Sequence, residues 1–357
     1  MPPGNTPGGL ADPFDLEELE ADDEAPLEAV AASGADPTVY EVRFRVEANY
    51  AGWRLDRYLC EKIRRLSRTK VQRVIKEDLI YRGGGRLKAS TPVVPGLEFS
   101  LQRRRDPEPA CERDFRVAYE DEDVLVVDKP AGLAIHPTAR YFHHTLTAVL
   151  RERQPAGEKW DIAHRLDRET SGLVVCGKHP AATGKLKLAF ARHGLIRKEY
   201  LALVHGWPAA DERVVDLPLA LLTDHPLRVK MGVVPPPEGK EAVTRVVVER
   251  RFRRDVPWRG PELAVVRCFP RTGRQHQLRV HLAAIGHPIV GDKIYGPSER
   301  YFSDFADGVL TDAARAELVL PRHALHAAAI AFPHPRHGRE TRVEAPLPAD
   351  LAELAGA

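Results

Sequence analysis

Several absences narrow the functions open to this chain of 357 residues. It has no run of eighteen or more apolar residues, so we expect no membrane-spanning helix. The N-terminus lacks the basic-then-apolar order of a signal peptide, which predicts a cytoplasmic protein. The four cysteines are widely scattered and give neither a disulfide framework nor a zinc signature. The histidines also lack convincing ligand spacing, so we predict no metal, and the absence of a phosphate-binding glycine loop predicts no nucleotide cofactor.

Acidic residues are unevenly distributed along the chain. Residues 1–40 contain ten Asp or Glu and no Lys or Arg, so the remaining residues have 53 basic side chains against 41 of the 51 acidic ones. A basic body suits a polyanionic partner such as nucleic acid. Residues 1–38 are rich in Pro, Gly, Ala and acids, and we predict a disordered acidic tail that aids solubility.

A small α/β domain is predicted over residues 39–101. Alternating apolar side chains at Val42–Val46 indicate a strand. Apolar residues then recur at helical spacing over 55–63, and Ser67 is placed to cap a second helix that runs through Ile75. Two glycine-containing turns that follow are flanked by short strands.

The second predicted helix has a dense basic face. Residues 54–101 hold twelve Lys or Arg against five Asp or Glu. Such a face can neutralise backbone phosphates, although a solvated pair of basic helices is the alternative. The candidate RNA-binding residues here are Arg64, Arg65, Arg68, Lys70 and Arg73.

The order of these elements resembles the small RNA-binding domain of the ribosomal-protein-S-four type. The matching segments are Arg54–Asp56, Ser67–Lys70, Val71–Lys76 and the Pro95–Gly96 turn. The segment Tyr81–Gly83 departs from the Val-Asn-Gly that this family often has in its middle hairpin, which affects local RNA contacts rather than the fold.

A second domain is predicted over residues 114–353, after a linker at 102–113 that is rich in Arg, Pro and Glu. Its apolar runs are short and rich in Val, and helices are expected chiefly around 180–193 and 275–286. This mixture predicts an α+β domain with a mostly antiparallel mixed sheet, rather than alternating βαβ units. The polar segment 298–320 is expected to be irregular.

The strongest chemical signal lies in His164–Leu173. There Asp167 stands between Arg165 and Arg168, on a loop that precedes the apolar strand Leu173–Cys176. Neighbouring guanidinium groups favour an ionised carboxylate, which nucleophilic or electrostatic catalysis at a sugar or base requires. From the charge pattern alone, a surface salt-bridge loop is the commoner explanation.

Four segments of the second domain resemble the RluA family of pseudouridine synthases. They are, in order, Asp123–Leu133, His164–Leu173, Arg197–Val204 and Arg271–His281, of which the second and fourth are highly specific. Further matches continue to Ala345–Pro346, so the resemblance spans about residues 41–353. It implies an enzyme that isomerises uridine to pseudouridine in RNA. That reaction exchanges no electrons and imports no group, so it needs no cofactor.

The resemblance also implies three catalytic residues. Asp167 is the nucleophile or its functional equivalent, and whether it attacks the sugar or the base stays open. Arg279 orients this carboxylate from a helix that begins near Gln275. Tyr200 stacks on the extruded base and handles a proton at carbon 5. Without the family pattern, Arg279 would be interpreted as a helix-surface charge and Tyr200 as a packing residue.

Three arginines of the same domain are candidate RNA contacts. Arg165 is placed to fill the space left when a uracil is extruded from its stack. Arg271 and Arg274 precede a helix and can bind phosphate there, or brace the loop of Asp167. His164 is expected to be a structural histidine.

We therefore predict a monomeric RNA pseudouridine synthase acting on structured large-subunit ribosomal RNA, with transfer RNA as the alternative substrate. The rival outside the enzymes is a ribosome-assembly factor that only binds RNA. A factor that only binds RNA would have no chemical reason to contain Asp167, Tyr200 and Arg279 together. A glycoside hydrolase would need opposed carboxylates, and Glu169 is too close to Asp167 in sequence to provide one.

Overall fold

The computed structural model describes residues 29–31, 39–63, 67–104, 108–137, 141, 143–192 and 194–356. These residues form two compact units. The first runs up to Pro109 and includes Pro137 and Tyr141, and the second comprises Ala110–His136 and the described residues from 143 onward. None of the helices in these ranges has the length and apolar character needed to cross a membrane.

The first unit is a four-stranded antiparallel sheet with two helices. Its elements are β1 (Ala29–Ala31), β2 (Val39–Arg45), α1 (Leu55–Lys62), α2 (Arg68–Glu77), β3 (Leu79–Ile80) and β4 (Glu98–Arg104). The strand order is β1-β2-β4-β3. As expected, the Ser67 side chain accepts a hydrogen bond from the Lys70 N–H and caps α2.

Two boundaries of this unit differ from the expectation. Ala29–Ala31, inside the segment predicted to be disordered, form a strand because this short apolar run pairs with the edge of β2. The rest of residues 1–38 lies outside the described residues. β4 continues to Arg104, into the predicted linker, because its backbone stays paired with β2 through Val39.

The core of the first unit lies between its helices and its sheet. Phe44 and Phe99 stack on neighbouring strands, with Tyr58 of α1 edge-on against Phe99. Asp56 is fully buried and joins the helices, since its carboxylate accepts hydrogen bonds from Arg54, Arg68 and Gln72. These bonds, above all that from Arg54, hold the pKa of Asp56 well below its usual range.

The second unit contains the larger sheet. Its strands are β5 (Arg116–Glu120), β6 (Val124–Lys129), β7 (Asp161–Ile162), β8 (Ser171–Gly177), β9 (Arg197–His205), β10 (Glu212–Asp216), β11 (Leu219–Leu221), β12 (Met231–Val233), β13 (Val243–Arg253), β14 (Glu262–Pro270), β15 (Leu325–Pro333) and β16 (Glu340–Glu344). Its helices are α3 (Leu146–Arg153), α4 (Pro180–Ala191), α5 (Gln277–Ala284), α6 (Arg300–Ala306), α7 (Asp312–Leu318) and α8 (Ala349–Ala355).

The strand order confirms the predicted α+β class. Eight strands follow the path β10-β13-β14-β9-β15-β8-β6-β5, with β16 added to β15 and β7 to β8. β15 and β8 pair in parallel, and the other neighbours in this sheet pair antiparallel. The sheet is therefore mixed and mostly antiparallel, as the short Val-rich runs indicated.

The segment 298–320 is helical rather than irregular. It forms α6 and α7, and Tyr301 and Phe305 of α6 pack against the buried Leu310, Ala314 and Leu318. The Thr311 side chain caps α7 by accepting from the Ala314 N–H. The segment is less polar than expected, since about half of its residues are apolar. Each helix has only seven residues, fewer than two turns, so the spacing of the apolar residues was too short to predict it.

Glycine sets the approach of β8 to β15. Gly172 has φ near 110°, and a Cβ there would lie 2.3 Å from the carbonyl oxygen of Ala327. Only glycine allows this contact at this backbone angle. The central strands thereby come together beside the loop that enters β8.

Candidate active site

The loop between β7 and β8 presents Asp167 to a cleft. The Thr170 N–H donates to the Asp167 carbonyl at 3.0 Å and closes a turn just before β8. The carbonyl of the next residue, Arg168, accepts from Lys129 Nζ at 3.1 Å and from the Gly132 N–H at 2.9 Å. Main-chain contacts therefore hold the loop at and immediately after Asp167.

Lys129 anchors this loop from inside the protein. Its side chain is fully buried, and Nζ also donates to the carbonyls of Pro130 and Leu133, each at 2.9 Å. Burial lowers the pKa of Lys129 to about 7. The three carbonyl acceptors match the three N–H bonds of an ammonium group and offset its desolvation. The segment Asp123–Leu133 contains Lys129, but the sequence did not indicate that this side chain anchors the loop of Asp167.

Arg279 joins two carboxylates beneath the cleft. Its Nη1 donates to Asp167 Oδ2 at 3.0 Å, while Nε and Nη2 donate to the two oxygens of Asp292 at 2.7 and 2.9 Å. Asp292 Oδ1 also accepts from the N–H groups of Ile294 and Tyr295. Arg279 is buried on α5, so it is not the surface charge that an isolated helix pattern would suggest.

The electrostatic environment keeps Asp167 ionised. Burial opposes ionisation, but His276 when protonated, and Arg279 at every accessible pH, favour the anion. The pKa of the Asp167 carboxyl consequently lies well below its usual range. Asp292 behaves in the same way, because Arg279 outweighs the effect of its burial on the pKa.

The cation beside Asp167 is distant in sequence. The neighbours Arg165 and Arg168 were expected to hold the carboxylate charged, yet its close ion pair is with Arg279, 112 residues away. Arg168 pairs with Glu169 at 2.9 Å. Arg165 is exposed and lines the cleft. A loop that turns sharply directs successive side chains to different sides, which the linear charge pattern does not show.

The cleft brings together the predicted site residues of the second unit. It has a volume of about 480 Å³, which is in the range for a ligand of nucleotide size. The predicted residues that line it are Arg165, Asp167, Tyr200, Arg271, Arg274 and Arg279. Segments from the β7–β8 loop, β9 and the start of α5 therefore converge on one space.

Tyr200 lies on β9 inside this cleft. Burial, followed by the negative charge of Asp167, raises the pKa of its phenol above the ordinary value. Tyr200 is therefore a neutral phenol at physiological pH. Its ring offers a flat apolar surface in a cleft otherwise rich in charge.

Three further residues line the cleft. Lys198, two positions before Tyr200 on β9, donates from Nζ to the Thr272 carbonyl at 3.1 Å, and burial lowers the pKa of its amine. His276 lies at the start of α5, with Nε2 4.0 Å from Asp167 Oδ2. His164 accepts from the Val175 N–H and stacks on Phe190, as expected for a structural histidine.

A second buried ion pair supports the loop after Asp167. Lys293 Nζ donates to both oxygens of Glu169 at 2.9 Å. Glu169 also accepts from the backbone N–H of His323, whose ring contacts the Thr170 hydroxyl at 2.8 Å. Sequence reasoning missed this pair because its members come from segments more than 100 residues apart.

The basic residues predicted to bind RNA have different surroundings. Arg274 Nε donates to the Glu241 carbonyl at 3.0 Å, just before β13 rather than in the loop of Asp167, while Arg271 is exposed at the cleft. In the first unit, Lys70 and Arg73 are exposed on α2, and Arg68 is committed to the buried Asp56. Arg64 and Arg65 lie outside the described residues.

One group of side chains away from the cleft has the proximity of metal ligands. It consists of Asp121, Asp123 and His334, which the sequence spacing did not bring together. His334 Nε2 already contacts Asp121 at 2.7 Å, and Arg336 Nε donates to Asp123 at 2.5 Å. A guanidinium on one carboxylate disfavours a cation there, so the group fits a network of ion pairs.

Residues 123–284 match the family described as RNA pseudouridylate synthase. This matched range contains the loop of Asp167, the strand of Tyr200 and the helix of Arg279.

Curated relatives and solved structures agree with this match. Ribosomal large subunit pseudouridine synthase D of Zymomonas mobilis is 34% identical over 317 residues, covering 85% of this chain and 93% of that protein. The protein of the same name from Vibrio cholerae is 33% identical over 321 residues, covering 88% and 94%. The structure of human RNA Pseudouridylate Synthase Domain Containing 1 matches with a TM-score of 0.51 and 25% identity, over 70% of this chain and 96% of that one.

Proposed function

Because the chain belongs to the RluA-type family of RNA pseudouridine synthases, we propose that it isomerises specific uridines of large-subunit ribosomal RNA. The family predicted from the sequence is confirmed, and the protein is an isomerase of this type. The relatives' names support ribosomal RNA over transfer RNA as the substrate. The S-four-type domain, the monomeric state and the cytoplasmic location stay predictions.

The observation that carries the proposed mechanism is the ion pair of Asp167 with Arg279 in the cleft. The carboxylate is ionised, a quarter exposed toward the cleft, and oriented through one oxygen. Its other oxygen, Oδ1, makes no hydrogen bond to any residue that the structure describes. That oxygen is the atom available to the substrate.

The isomerisation breaks the bond from uracil N1 to ribose C1′ and makes one from C5 to C1′. Asp167 stabilises C1′, directly or through its charge, while the base is detached. The proton of C5 must then leave. Burial and the nearby Asp167 anion raise the pKa of the Tyr200 phenol and keep it protonated, so its oxygen can accept the C5 proton only as its own proton leaves. N1 of the product gains a proton, so the proton lost from C5 is balanced.

Uracil in folded RNA reaches the cleft only after it leaves its stack, at a cost of a few kcal/mol. Arg165 is exposed at the cleft, where its guanidinium can occupy the vacated position. Arg271, also exposed there, is suited to a flanking phosphate. In the first unit, the exposed face of α2 with Lys70 and Arg73 offers charge for further phosphates.

The test is to map pseudouridines in cellular RNA with and without the gene, and then to restore it as wild type or as Asp167→Asn. We expect at least one large-subunit rRNA pseudouridine to disappear, to return with wild type and to stay absent with Asp167→Asn. Asp161→Asn is the matched control, because Asp161 is a partly exposed aspartate paired with Lys187 outside the cleft. Loss of a pseudouridine only from transfer RNA would refute ribosomal RNA as the substrate. An unchanged map would favour a binding factor without catalysis.

A further inference from the structure

His276 has a backbone conformation that residues other than glycine rarely adopt. Its φ is 52° and its ψ is 14°, in the left-handed region just before α5. Such a residue costs on the order of 1–3 kcal/mol, and such residues concentrate at functional sites. Among the described residues, Arg259 and Val319 also have positive φ, but neither lines the cleft.

The His276 side chain does not cap the helix that follows it. No hydrogen bond joins its ring to the first N–H groups of α5. Instead Nδ1 lies 2.9 Å from the Tyr295 hydroxyl, and the two rings meet edge to face. Its unusual backbone therefore serves to direct the imidazole sideways, toward Tyr295 and the cleft.

Tyr295 determines which ring nitrogen of His276 carries the hydrogen. The Met231 N–H donates to the Tyr295 oxygen at 3.0 Å, so that oxygen already acts as an acceptor. The hydroxyl hydrogen has no other acceptor among the described residues, so we assign it to the bond with His276 Nδ1 at 2.9 Å. A neutral imidazole that accepts at Nδ1 carries its hydrogen on Nε2.

The ring is neutral at physiological pH. Burial, together with the neighbouring Arg279, lowers the pKa of His276 to about 4. Its Nε2 makes no hydrogen bond to a described residue, and it lies 4.0 Å from Asp167 Oδ2. The cleft is thus supplied with a neutral, oriented N–H donor next to the reactive carboxylate.

We propose that His276 Nε2–H donates a hydrogen bond to the O2 carbonyl of the target uracil and stabilises the base as it detaches. When the N1–C1′ bond breaks, its electron pair leaves with the base, and the negative charge spreads onto the carbonyl oxygens. O2 is bonded to the carbon next to N1, so a donor beside Asp167 is placed close to it. The proposal rests on the proposed isomerase function and adds a substrate contact to it.

A fixed neutral donor suits this task. It can stabilise developing charge without giving up its proton, so the uracil stays free to rejoin through C5. A protonated imidazole would instead pair with Asp167 and weaken the nucleophile. The low pKa of His276 keeps the ring out of that state.

Two variants distinguish the effect of the Nε2 hydrogen-bond donor from the effect of the backbone conformation. His276→Asn tolerates the left-handed conformation but is too short to place a donor where Nε2 lies. His276→Gln puts its amide nitrogen near that position. In single-turnover release of tritium from C5 of a synthetic rRNA stem-loop, we expect Asn to slow the chemical step by about 10²-fold with unchanged RNA affinity. Gln should restore a large part of the rate.

Substitution of single substrate atoms gives the decisive readout. The same stem-loop is made with 2-thiouridine at the target, where sulfur is the poorer acceptor, and with 4-thiouridine as the matched control. Wild type should be slowed selectively by the 2-thio substitution, and His276→Asn should lose that selectivity. The effects of the 2-thio substitution and of His276→Asn should therefore not add, whereas they would add if His276 had only a structural role.

Each outcome decides the proposal. Equal sensitivity to the 2-thio substitution in wild type and His276→Asn would overturn it. So would a wild type that does not distinguish 2-thio from 4-thio RNA, a comparison that needs no variant to fold. Failure of wild type to release tritium from unmodified rRNA stem-loops would refute the proposed function instead, and that result is separate from the behaviour of His276.

Discussion

Asp292→Asn tests whether the orientation of Arg279 is needed for turnover. In wild type, two of the three hydrogen bonds that Arg279 makes to carboxylates go to Asp292. Asparagine has nearly the same shape and still accepts from the Ile294 and Tyr295 N–H groups, so the local loop is preserved. What the variant loses is one charge and one acceptor facing the guanidinium.

The magnitude follows from burial. Both Asp292 and Arg279 are buried, and removing one partner of such a pair typically costs about 3–5 kcal/mol. Asp167 remains as a partner for Arg279, so we expect the lower end of that range. For a unit of this size, about 3 kcal/mol corresponds to a fall in Tm of roughly 6–12 °C.

The effect on catalysis should exceed what the loss of stability explains. Without Asp292, Arg279 is free to turn both of its donor edges toward Asp167, which shifts the carboxylate and engages the oxygen meant for substrate. Misplacement by about 1 Å can cost 10²-fold in rate. We therefore expect single-turnover tritium release to slow by about 10²-fold at a temperature where the variant is fully folded, with RNA affinity unchanged.

Asp350→Asn is the matched control. Asp350 accepts two hydrogen bonds from Arg322, at 2.7 and 2.9 Å, and so has the same bidentate geometry outside the cleft. It should lose stability and keep the wild-type rate. If Asp292→Asn also turned over at the wild-type rate, the argument that Arg279 must be held in place would be refuted.

Three other predictions concern the loop anchor, acid stability and RNA binding. Lys129→Met should lower the free energy of unfolding by about 2–4 kcal/mol and slow turnover, because three carbonyls lose their donor; an unchanged thermal melt would contradict this. The pKa of Asp292 is lowered in the folded state, so its contribution to stability is present above the unfolded pKa and lost as the pH falls through the folded one. The difference in unfolding free energy between wild type and Asp292→Asn should accordingly be constant above about pH 5 and shrink only below about pH 4; shrinkage near pH 6 would argue against a lowered pKa. Replacing Lys70 and Arg73 together by Gln should weaken RNA binding and reduce its salt slope by about one unit per lost phosphate contact, whereas an unchanged slope would exclude α2 from the interface.

Sequence patterns predicted the helices and strands that depend on contacts between residues close together in the chain. The Ser67 cap, the helix near 275–286 and the short Val-rich strands follow from residues within a few positions of one another. The two helices in 298–320 were missed because each has only seven residues, and their apolar side chains pack within a small separate cluster. A helix of seven residues makes fewer than two turns, which is too short for the spacing of its apolar residues to define a helical face.

The site was predictable only as far as its motifs are contiguous. The motif around Asp167 and the one that contains Arg279 were separately visible, and the family resemblance implied that they meet. Asp292, Lys129 and His276 could not be given their contacts, because each depends on where a distant segment places its polar atoms. The tautomer of His276, for instance, depends on the N–H of Met231 through Tyr295.

The sharing of Arg279 between two carboxylates explains how Asp167 stays both ionised and reactive. A buried carboxylate needs a cation to remain charged, but a bidentate guanidinium would occupy both of its oxygens, as it does at Asp292. Asp292 takes two of the three hydrogen bonds, and Arg279 therefore reaches Asp167 through a single nitrogen on Oδ2. This one contact orients the group and lowers its pKa, while Oδ1 still faces the cleft without a hydrogen bond to any described residue. Asp292 thus affects the chemistry by limiting the number of hydrogen bonds that Arg279 can donate to Asp167.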